Sequence, residues 1–250
     1  MLSKYAAARL SKLDPRGTVF SEYTALSNEY KSINLGQGFP TLPVAPFILE
    51  AAKKAVSSTC MGHQYSRSEG NMKLTNSLAK FYSPKVGREL NPATEIMTTI
   101  GASEAIYSSI QSIVNPGDEV MIICPFYDSY PASVLLAGGI PVCVSLTSQG
   151  PNSSDWKLDM EELSKKVSSK TKILIINNPN NPLGKVWSRN ELESLAAFAE
   201  NNDLIVIADE VYETLVFGDS KEKMIKFASL PGMFKRTITV GRYTGLVFRC

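Results

Sequence analysis

The chain has 250 residues, of which 44% are hydrophobic and 20% are charged, as is typical of a soluble globular protein. Its 26 Lys and Arg residues nearly balance 24 Asp and Glu residues, and the formal net charge of +2 gives no reason to expect binding to nucleic acid or membrane. The longest apolar run, residues 134–144, is too short to span a bilayer.

The four cysteines are far apart and include no CxxC pair, so we expect neither a metal site nor a disulfide framework. A reducing compartment, the cytoplasm, is the simplest expectation. Residues 1–13 carry Lys4, Arg9 and Lys12 but no apolar block of the secretory type, which leaves a mitochondrial location open as the alternative.

The first ninety residues have three helical patterns, near residues 19–30, 47–57 and 72–82. From Thr94 onward, short runs rich in β-branched residues alternate with amphipathic stretches of helix length, which indicates βαβ units. We therefore predict an α/β fold with a mostly parallel sheet and helices on both faces. The predicted strands are residues 95–100, 119–123, 140–145, 172–177, 204–209 and 237–241.

Residues 1–45 are predicted to form an N-terminal arm and helix, residues 46–241 a large domain, and residues 242–250 a divergent tail. Ser188 and Glu191 have the spacing of a capping box and should open a helix.

Asp209 ends the apolar strand that begins at Leu204, where a carboxylate is costly unless a cation lies against it. A protonated pyridine nitrogen, such as that of pyridoxal 5′-phosphate (PLP), would be a suitable partner. A solvent-facing strand end, or a magnesium ligand in an ATPase, would also account for an aspartate at this position. The ATPase hypothesis fails because the chain contains no GxxxxGK[ST] sequence.

Polar and aromatic side chains follow several of the predicted strands. Asn177 and Asn181 offer amide donors, and Tyr212 offers a hydroxyl three residues after Asp209. Asn-Pro pairs alone usually make turns, but their occurrence with Asp209 and Tyr212 favours a binding site.

Two further segments have the chemistry of a phosphate and ring site. Residues 101–103 precede a predicted helix at 104–114, where backbone N–H groups could receive a phosphate, although plain helix capping would account for the same residues. Tyr127 follows the next strand and could stack on a heteroaromatic ring, although burial in the core would account for it nearly as well.

Several motifs in this order make the chain resemble a class I PLP-dependent aminotransferase of fold type I. Within that class it is similar to the kynurenine and glutamine aminotransferases that also act as cysteine-conjugate β-lyases. The resemblance runs from about Ala8 to Gly241. Its specific elements are residues 34–40, 101–103, 125–128, 177–185 and 209–212.

The resemblance implies a role for each matching residue. Ala102 and Ser103 would bind the phosphate, Tyr127 would stack on the ring, and Asp209 would pair with the pyridine nitrogen. The phenolic oxygen of the cofactor would be bound by Asn181 and Tyr212.

Four further residues are implied on the substrate side of the site. Asn177 would support the ring and the substrate, Gly38 would approach the substrate carboxylate, and Phe20 would line the side-chain pocket. Tyr65 would reach into the site of a neighbouring subunit, which implies a homodimer.

The chain departs from the family pattern after Gly241. The family continues with Ser-x-x-Lys, whose lysine forms the Schiff base with PLP, whereas this chain reads Arg242-Tyr243-Thr244-Gly245. Gly245 stands where that lysine belongs, so no catalytic residue is assigned. The small C-terminal domain of the family, which carries an arginine for the substrate carboxylate, has no counterpart in the sequence.

These observations predict an aminotransferase that moves an α-amino group between an amino acid, such as kynurenine or glutamine, and a 2-oxo acid, in a form impaired by the absent lysine. The alternatives are a non-catalytic form that binds PLP or pairs with a complete subunit, and a fragment produced by the gene model. A nicotinamide-dependent dehydrogenase is disfavoured because no GxGxxG sequence opens a helix.

Overall fold

The computed structural model describes residues 8–13, 19–37, 42–217, 224–241 and 246–248. The chain divides into two compact units: Asp14–Arg67 forms one, and Met1–Leu13 with Ser68–Cys250 forms the other. The predicted boundary at residue 45 cuts the chain at a different place and stays a prediction.

In the described part of the larger unit, eight strands form one central sheet in the order β1-β8-β7-β6-β5-β2-β3-β4. Five neighbouring strands, from β7 across to β3, are mutually parallel, and β4 and β8 run antiparallel to their neighbours. The strands are β1 (Ile96–Met97), β2 (Glu119–Cys124), β3 (Ile140–Ser148), β4 (Trp156–Leu158), β5 (Thr171–Asn177), β6 (Ile205–Asp209), β7 (Thr237–Gly241) and β8 (Leu246–Phe248).

Seven α-helices lie within the described ranges. They are α1 (Val19–Tyr30), α2 (Pro46–Val56), α3 (Met72–Val86), α4 (Gly101–Ile113), α5 (Ser129–Leu136), α6 (Met160–Lys166) and α7 (Arg189–Asn201). The predicted capping box is present at the start of α7, where the Ser188 side chain accepts from the backbone N–H of Glu191.

Alternate residues of the central strands face opposite sides of the sheet, and both sides are apolar. In β5, Ile173 and Ile175 pack with α4 and α5, whereas Leu174 and Ile176 pack with α6 and α7. A parallel sheet covered by helices on both faces needs such unbroken apolar strands, because neither face meets water. Charged groups of these strands are therefore confined to the strand ends.

The predicted α/β class, with its mostly parallel sheet and helices on both faces, is confirmed. The predicted strand 95–100 is shorter than expected, because the backbone N–H of Thr98 donates to the carbonyl of Glu69 instead of to a neighbouring strand. Strands β4 and β8 were not predicted, and each has only three residues. β8 falls within the residues that were predicted to be a divergent tail.

Helix α3 continues past its predicted end at Tyr82 and through Pro84. Tyr82 and Val86, on either side of the proline, are both buried in one apolar cluster, and this packing offsets the lost backbone hydrogen bond. The helix ends at Gly87, whose φ of +74° suits a residue without a Cβ.

The smaller unit contains α1 and α2, and neither helix has a buried side chain. Large apolar residues of this unit, including Ile33, Leu35 and Phe47, are exposed. None of the helices in the described ranges is both long and apolar enough to cross a membrane.

Candidate cofactor site

The candidate site lies at the carboxyl ends of the parallel strands. Strands β5 and β6 end opposite one another, with Asn177 and Asp209 paired in register. The chain proceeds from β2 outward to β3, then returns to the other side of β2 and continues through β5, β6 and β7. Ligands of open α/β sheets bind in the crevice at such a reversal of strand order.

A cavity of about 160 Å³ occupies this edge. It receives side chains from the segments that follow β2, β5 and β6 and from the first turns of α4. The lining residues are Ala102, Ser103, Ile106, Tyr127, Asn177, Asn181, Asp209, Val211 and Tyr212. The structure therefore brings together all seven site residues that the sequence predicted in the larger unit, and their roles toward a cofactor stay predictions.

The cavity meets the N-terminal end of α4, which begins at Gly101 and thus three residues before its predicted start. Gly101 has a φ of +80°, which a residue without a Cβ adopts readily. The N–H groups of the first helical turn have no partner inside the helix, and the helix dipole makes this end positive. The backbone N–H groups at Ala102 and Ser103 therefore lie at the positive end of the helix, where an anionic group is stabilised.

The segment after β5 is held by the side chain of Asn177. Its Nδ2 donates to the carbonyl oxygen of Asp209 at 3.0 Å, and its Oδ1 accepts from the backbone N–H of Asn181 at 2.6 Å. The side-chain amide of Asn181 donates to the hydroxyl oxygen of Tyr212 at 3.4 Å. Asn181 and Tyr212 thus lie side by side at the cavity, as two neighbouring donors for a ligand oxygen would.

Asp209 is 3% exposed, and both of its carboxylate oxygens accept hydrogen bonds from neutral donors. The hydroxyl of Tyr130 donates to Oδ2 at 2.5 Å, and the backbone N–H of Val211 donates to Oδ1 at 3.2 Å. Burial raises the pKa of Asp209 from 3.8 to about 6, even though these two hydrogen bonds favour the charged form. At neutral pH the carboxylate is therefore charged and partly stabilised by hydrogen bonds, but no cationic side chain of the described residues is paired with it.

Tyr130 is a site residue that the sequence did not reveal. It is buried in the first turn of α5, and its ring makes an edge contact with the ring of Tyr127, with centroids 5.9 Å apart. Burial, followed by the charge of Asp209, raises the pKa of Tyr130 well above its usual value, so the hydroxyl stays a donor. In the sequence, its position three residues after Tyr127 was the one hint of a role in the site. Its hydrogen bond to Asp209 joins residues 79 positions apart, and such a long-range contact leaves no local sequence pattern.

The donor set fits a cationic nitrogen heterocycle that carries a phosphate. Within the described ranges, no lysine or arginine forms an ion pair with Asp209, and the hydrogen-bond donors to its carboxylate are all uncharged. A buried carboxylate of this kind is stabilised by a ligand cation. The phosphate-compatible end of α4 borders the same cavity.

The remaining predicted residues belong to the smaller unit or to other parts of the chain. Phe20 and Tyr65 lie in the smaller unit, where Phe20 is partly exposed and Tyr65 is fully exposed. Gly38 and Gly245 lie outside the described residues. The roles of all four stay predictions.

Comparisons with known proteins agree with the chemistry of this cavity. The family model described as "Aminotransferase class I and II" matches residues 30–243. The chain is 42% identical over 248 residues to kynurenine–oxoglutarate transaminase 1 of Homo sapiens, covering 96% of this chain and 58% of that protein. It is 44% identical to the kynurenine–oxoglutarate transaminase of Dictyostelium discoideum, covering 90% of this chain and 54% of that protein.

Among solved structures, the N-succinyldiaminopimelate aminotransferase of Mycobacterium tuberculosis superposes with a TM-score of 0.88 at 36% identity. The match covers 98% of this chain and 64% of the other. The chain thus spans between half and two thirds of the length of each of these three relatives.

The raised pKa of Asp209 gives the free energy of unfolding a definite pH dependence. An acid whose folded-state pKa is raised stabilises the fold fully below its unfolded pKa, 3.8, and this contribution is lost as the pH rises through about 6. Asp209→Asn has no such contribution to lose. Without added cofactor, we expect the stability of this variant relative to wild type to increase by on the order of 1–3 kcal/mol between pH 5 and pH 7.5.

Urea denaturation of both proteins at the two pH values measures this difference. Asp203→Asn, at a side chain that is 97% exposed, is the control for the same substitution on the surface. A stability difference between Asp209→Asn and wild type that does not change with pH would contradict the assignment of Asp209 as a buried, unneutralised carboxylate.

Proposed function

The chain belongs to the class I and II aminotransferase family, whose class I members use PLP, and from this premise we propose that it binds PLP at the carboxyl edge of its sheet. The observation that carries the proposal is the buried, unneutralised carboxylate of Asp209 in a cavity shared with Asn181 and Tyr212. The family supplies the identity of the cofactor, and the cavity supplies the groups that would hold it.

Each side of the cavity has a separate task in this proposal. The first turn of α4, with Ala102 and Ser103, would bind the phosphate. Tyr127 would cover one face of the ring, and Asn181 with Tyr212 would donate to its phenolic oxygen. When bound, PLP supplies an electron sink for negative charge on the α-carbon of an amino acid.

Asp209 would keep a proton on the pyridine nitrogen, because a buried carboxylate favours the protonated form of a nitrogen base beside it. Tyr130 would hold that carboxylate in place through its hydroxyl, and Val211 would do so through its backbone N–H. Neither donor carries a charge, so neither competes with the ring for the charge of Asp209.

The proposed reaction of the family member is transfer of an α-amino group between an amino acid and a 2-oxo acid. Two relatives with at least 42% identity are named kynurenine–oxoglutarate transaminases, which supports kynurenine as the amino donor and oxoglutarate as the acceptor. The residues that would contact such substrates, Phe20, Gly38 and Asn177, are assigned this role by resemblance alone.

We further propose that this chain is an impaired form, because Gly245 stands where the family has its lysine. That lysine bonds to the cofactor and moves a proton at the α-carbon of the substrate. General base catalysis of this kind typically contributes a factor of about 10²–10⁴, so its loss should leave binding of the cofactor but little turnover.

Binding of pyridoxamine 5′-phosphate (PMP) tests the cavity directly. PMP is the amine form of the cofactor and has no aldehyde, so it cannot bond to surface lysines. We expect one saturable site per chain by isothermal titration, and an affinity at least about tenfold lower in Asp209→Asn, because the buried charge pair is lost. Asp203→Asn should bind like wild type. Equal affinities for wild type and Asp209→Asn would contradict the proposed site.

The absent lysine gives a separate test. After incubation with PLP and reduction with borohydride, peptide mass mapping should find no lysine modified in one-to-one proportion with the chain. Transamination of kynurenine with oxoglutarate should be about 10² to 10⁴ times slower than in the human relative assayed in parallel. A single stoichiometric pyridoxyl-lysine, accompanied by turnover similar to that of the relative, would contradict the impaired form.

The alternative role, as a partner subunit, is favoured by the surface of the smaller unit. Helices α1 and α2 bury no side chain, and Phe47, Leu35 and Val56 are each at least three quarters exposed. Large apolar side chains that are exposed on helices without a buried face favour association with another surface. We propose that this unit pairs with a second copy of the chain or with a longer homologous subunit, and that Tyr65 contributes to the site of that partner.

Sedimentation equilibrium tests the pairing. We expect wild type to dimerise and Phe47→Asp, which places a charge on α2, to weaken the dimer by at least about tenfold. Phe217→Asp is the matched control, because Phe217 is a similarly exposed phenylalanine of the larger unit, 84% against 75% exposed. A wild-type chain that stays monomeric at all concentrations, or equal effects of the two substitutions, would contradict the pairing through α2.

A further inference from the structure

A buried cluster of charges is connected to the candidate site through the backbone, because Glu210 directly follows Asp209. The ammonium group of Lys226 is 2.8 Å from a carboxylate oxygen of Glu210 and 2.7 Å from one of Glu213. The three side chains are between 1% and 5% exposed. We call these three residues, Glu210, Glu213 and Lys226, the lysine clamp.

Both glutamates of the lysine clamp also have partners other than Lys226. The other oxygen of Glu210 accepts from the backbone N–H of Phe227 at 2.9 Å. The Glu213 carboxylate accepts from the hydroxyl of Tyr82 and pairs with Lys85 at 3.2 Å. Two carboxylates therefore meet two ammonium groups, and the formal charges of the cluster cancel.

Each of the two glutamates is adjacent in the chain to a residue that lines the cavity. Glu210 directly follows Asp209, and Glu213 directly follows Tyr212. The backbone turns tightly between them, because the N–H of Glu213 donates to the carbonyl of Glu210 at 3.0 Å. Asp209 and Tyr212 border the cavity, whereas both glutamates reach Lys226, so one short turn carries the cavity residues and the clamp residues together.

A contribution to the stability of the fold is a poor explanation for these buried ion pairs. Replacing a buried ion pair by apolar residues of similar size is often neutral or stabilising, because the charges lose their hydration. Burial by itself lowers the pKa of Lys226, but the charges of Glu210 and Glu213 outweigh it and raise that pKa, so the ammonium stays charged. A charged lysine between two carboxylates fixes the separation of two points on the turn, which apolar packing would not do.

We propose that the lysine clamp is a positioning device for the cofactor site, which holds the Asp209 carboxylate and the Tyr212 hydroxyl at a fixed separation. The proposal rests on the proposed function, because it is the cofactor that requires one group at its ring nitrogen and another at its phenolic oxygen. Lys226 does not line the cavity, so it would act only through the turn that both glutamates anchor.

The test compares wild type with two variants of the clamp. Lys226→Met breaks both ion pairs and leaves two buried carboxylates with a single cation, so it also endangers folding. The double variant Glu210→Gln with Lys226→Met restores the charge balance, because Glu213 keeps Lys85 and Tyr82. The amide oxygen introduced by Glu210→Gln still accepts from the N–H of Phe227. Lys165→Met, at an exposed ion pair with Glu162, is the matched surface control.

Three measurements are made on each protein: urea stability, PMP affinity by titration, and the induced circular dichroism of PMP per bound molecule at saturation. We expect the double variant to regain most of the stability lost in Lys226→Met. Its PMP affinity should nevertheless stay about tenfold or more below that of wild type, and its dichroism per bound PMP should stay altered. Lys165→Met should match wild type in all three.

A purely structural cluster would give a different result, because PMP affinity and dichroism would recover together with stability in the double variant. That recovery would overturn the positioning role while leaving the proposed function intact. Absence of saturable PMP binding by the wild-type chain would instead overturn the proposed function, and the positioning role with it.

Discussion

The site depends on the burial of one carboxylate at the end of an apolar strand. Helices cover both faces of the parallel sheet, so the charged residues of its central strands lie at the strand ends. Glu119 and Lys172 are at the amino ends of β2 and β5, and Asp209 is at the carboxyl end of β6. Asp209 is the first residue of β6 at which an ionisable side chain occurs, and it is already within the protein. The hydrogen bonds of Tyr130 and Val211 reduce the cost of this burial without cancelling the charge.

Two adjacent acids at the carboxyl end of β6, Asp209 and Glu210, have opposite electrostatic environments. The charge of Glu210 is balanced from within the chain by Lys226, and neither residue lines the cavity. The charge of Asp209 meets only neutral donors and faces the cavity. Glu210 thus stabilises the turn, and Asp209 is left to pair with a ligand cation. This division is expected where a binding group must be held rigidly and still be available to a ligand.

The sequence alone predicted the parallel sheet and the carboxyl ends of β5, β6 and β7, because the alternation of apolar runs with capped helices is a local pattern. It also placed Asn181, Asp209 and Tyr212 together, because carboxyl ends of parallel strands share one edge. Tyr130 and Lys226 were missed, since each acts through contacts made far along the chain. Tertiary packing also overrides the local conformational preference of the sequence in three places. These are the short strands β4 and β8 and the continuation of α3 through Pro84.

In the proposed site, Asp209 keeps a proton on the ring nitrogen of the cofactor. The ¹⁵N chemical shift of the ring nitrogen in labelled PMP, bound to the chain at pH 8, measures that proton directly. We expect a shift typical of a protonated pyridine in wild type and one typical of an unprotonated pyridine in Asp209→Asn. An unprotonated nitrogen in the wild-type complex, or the same shift in both proteins, would contradict this role of Asp209.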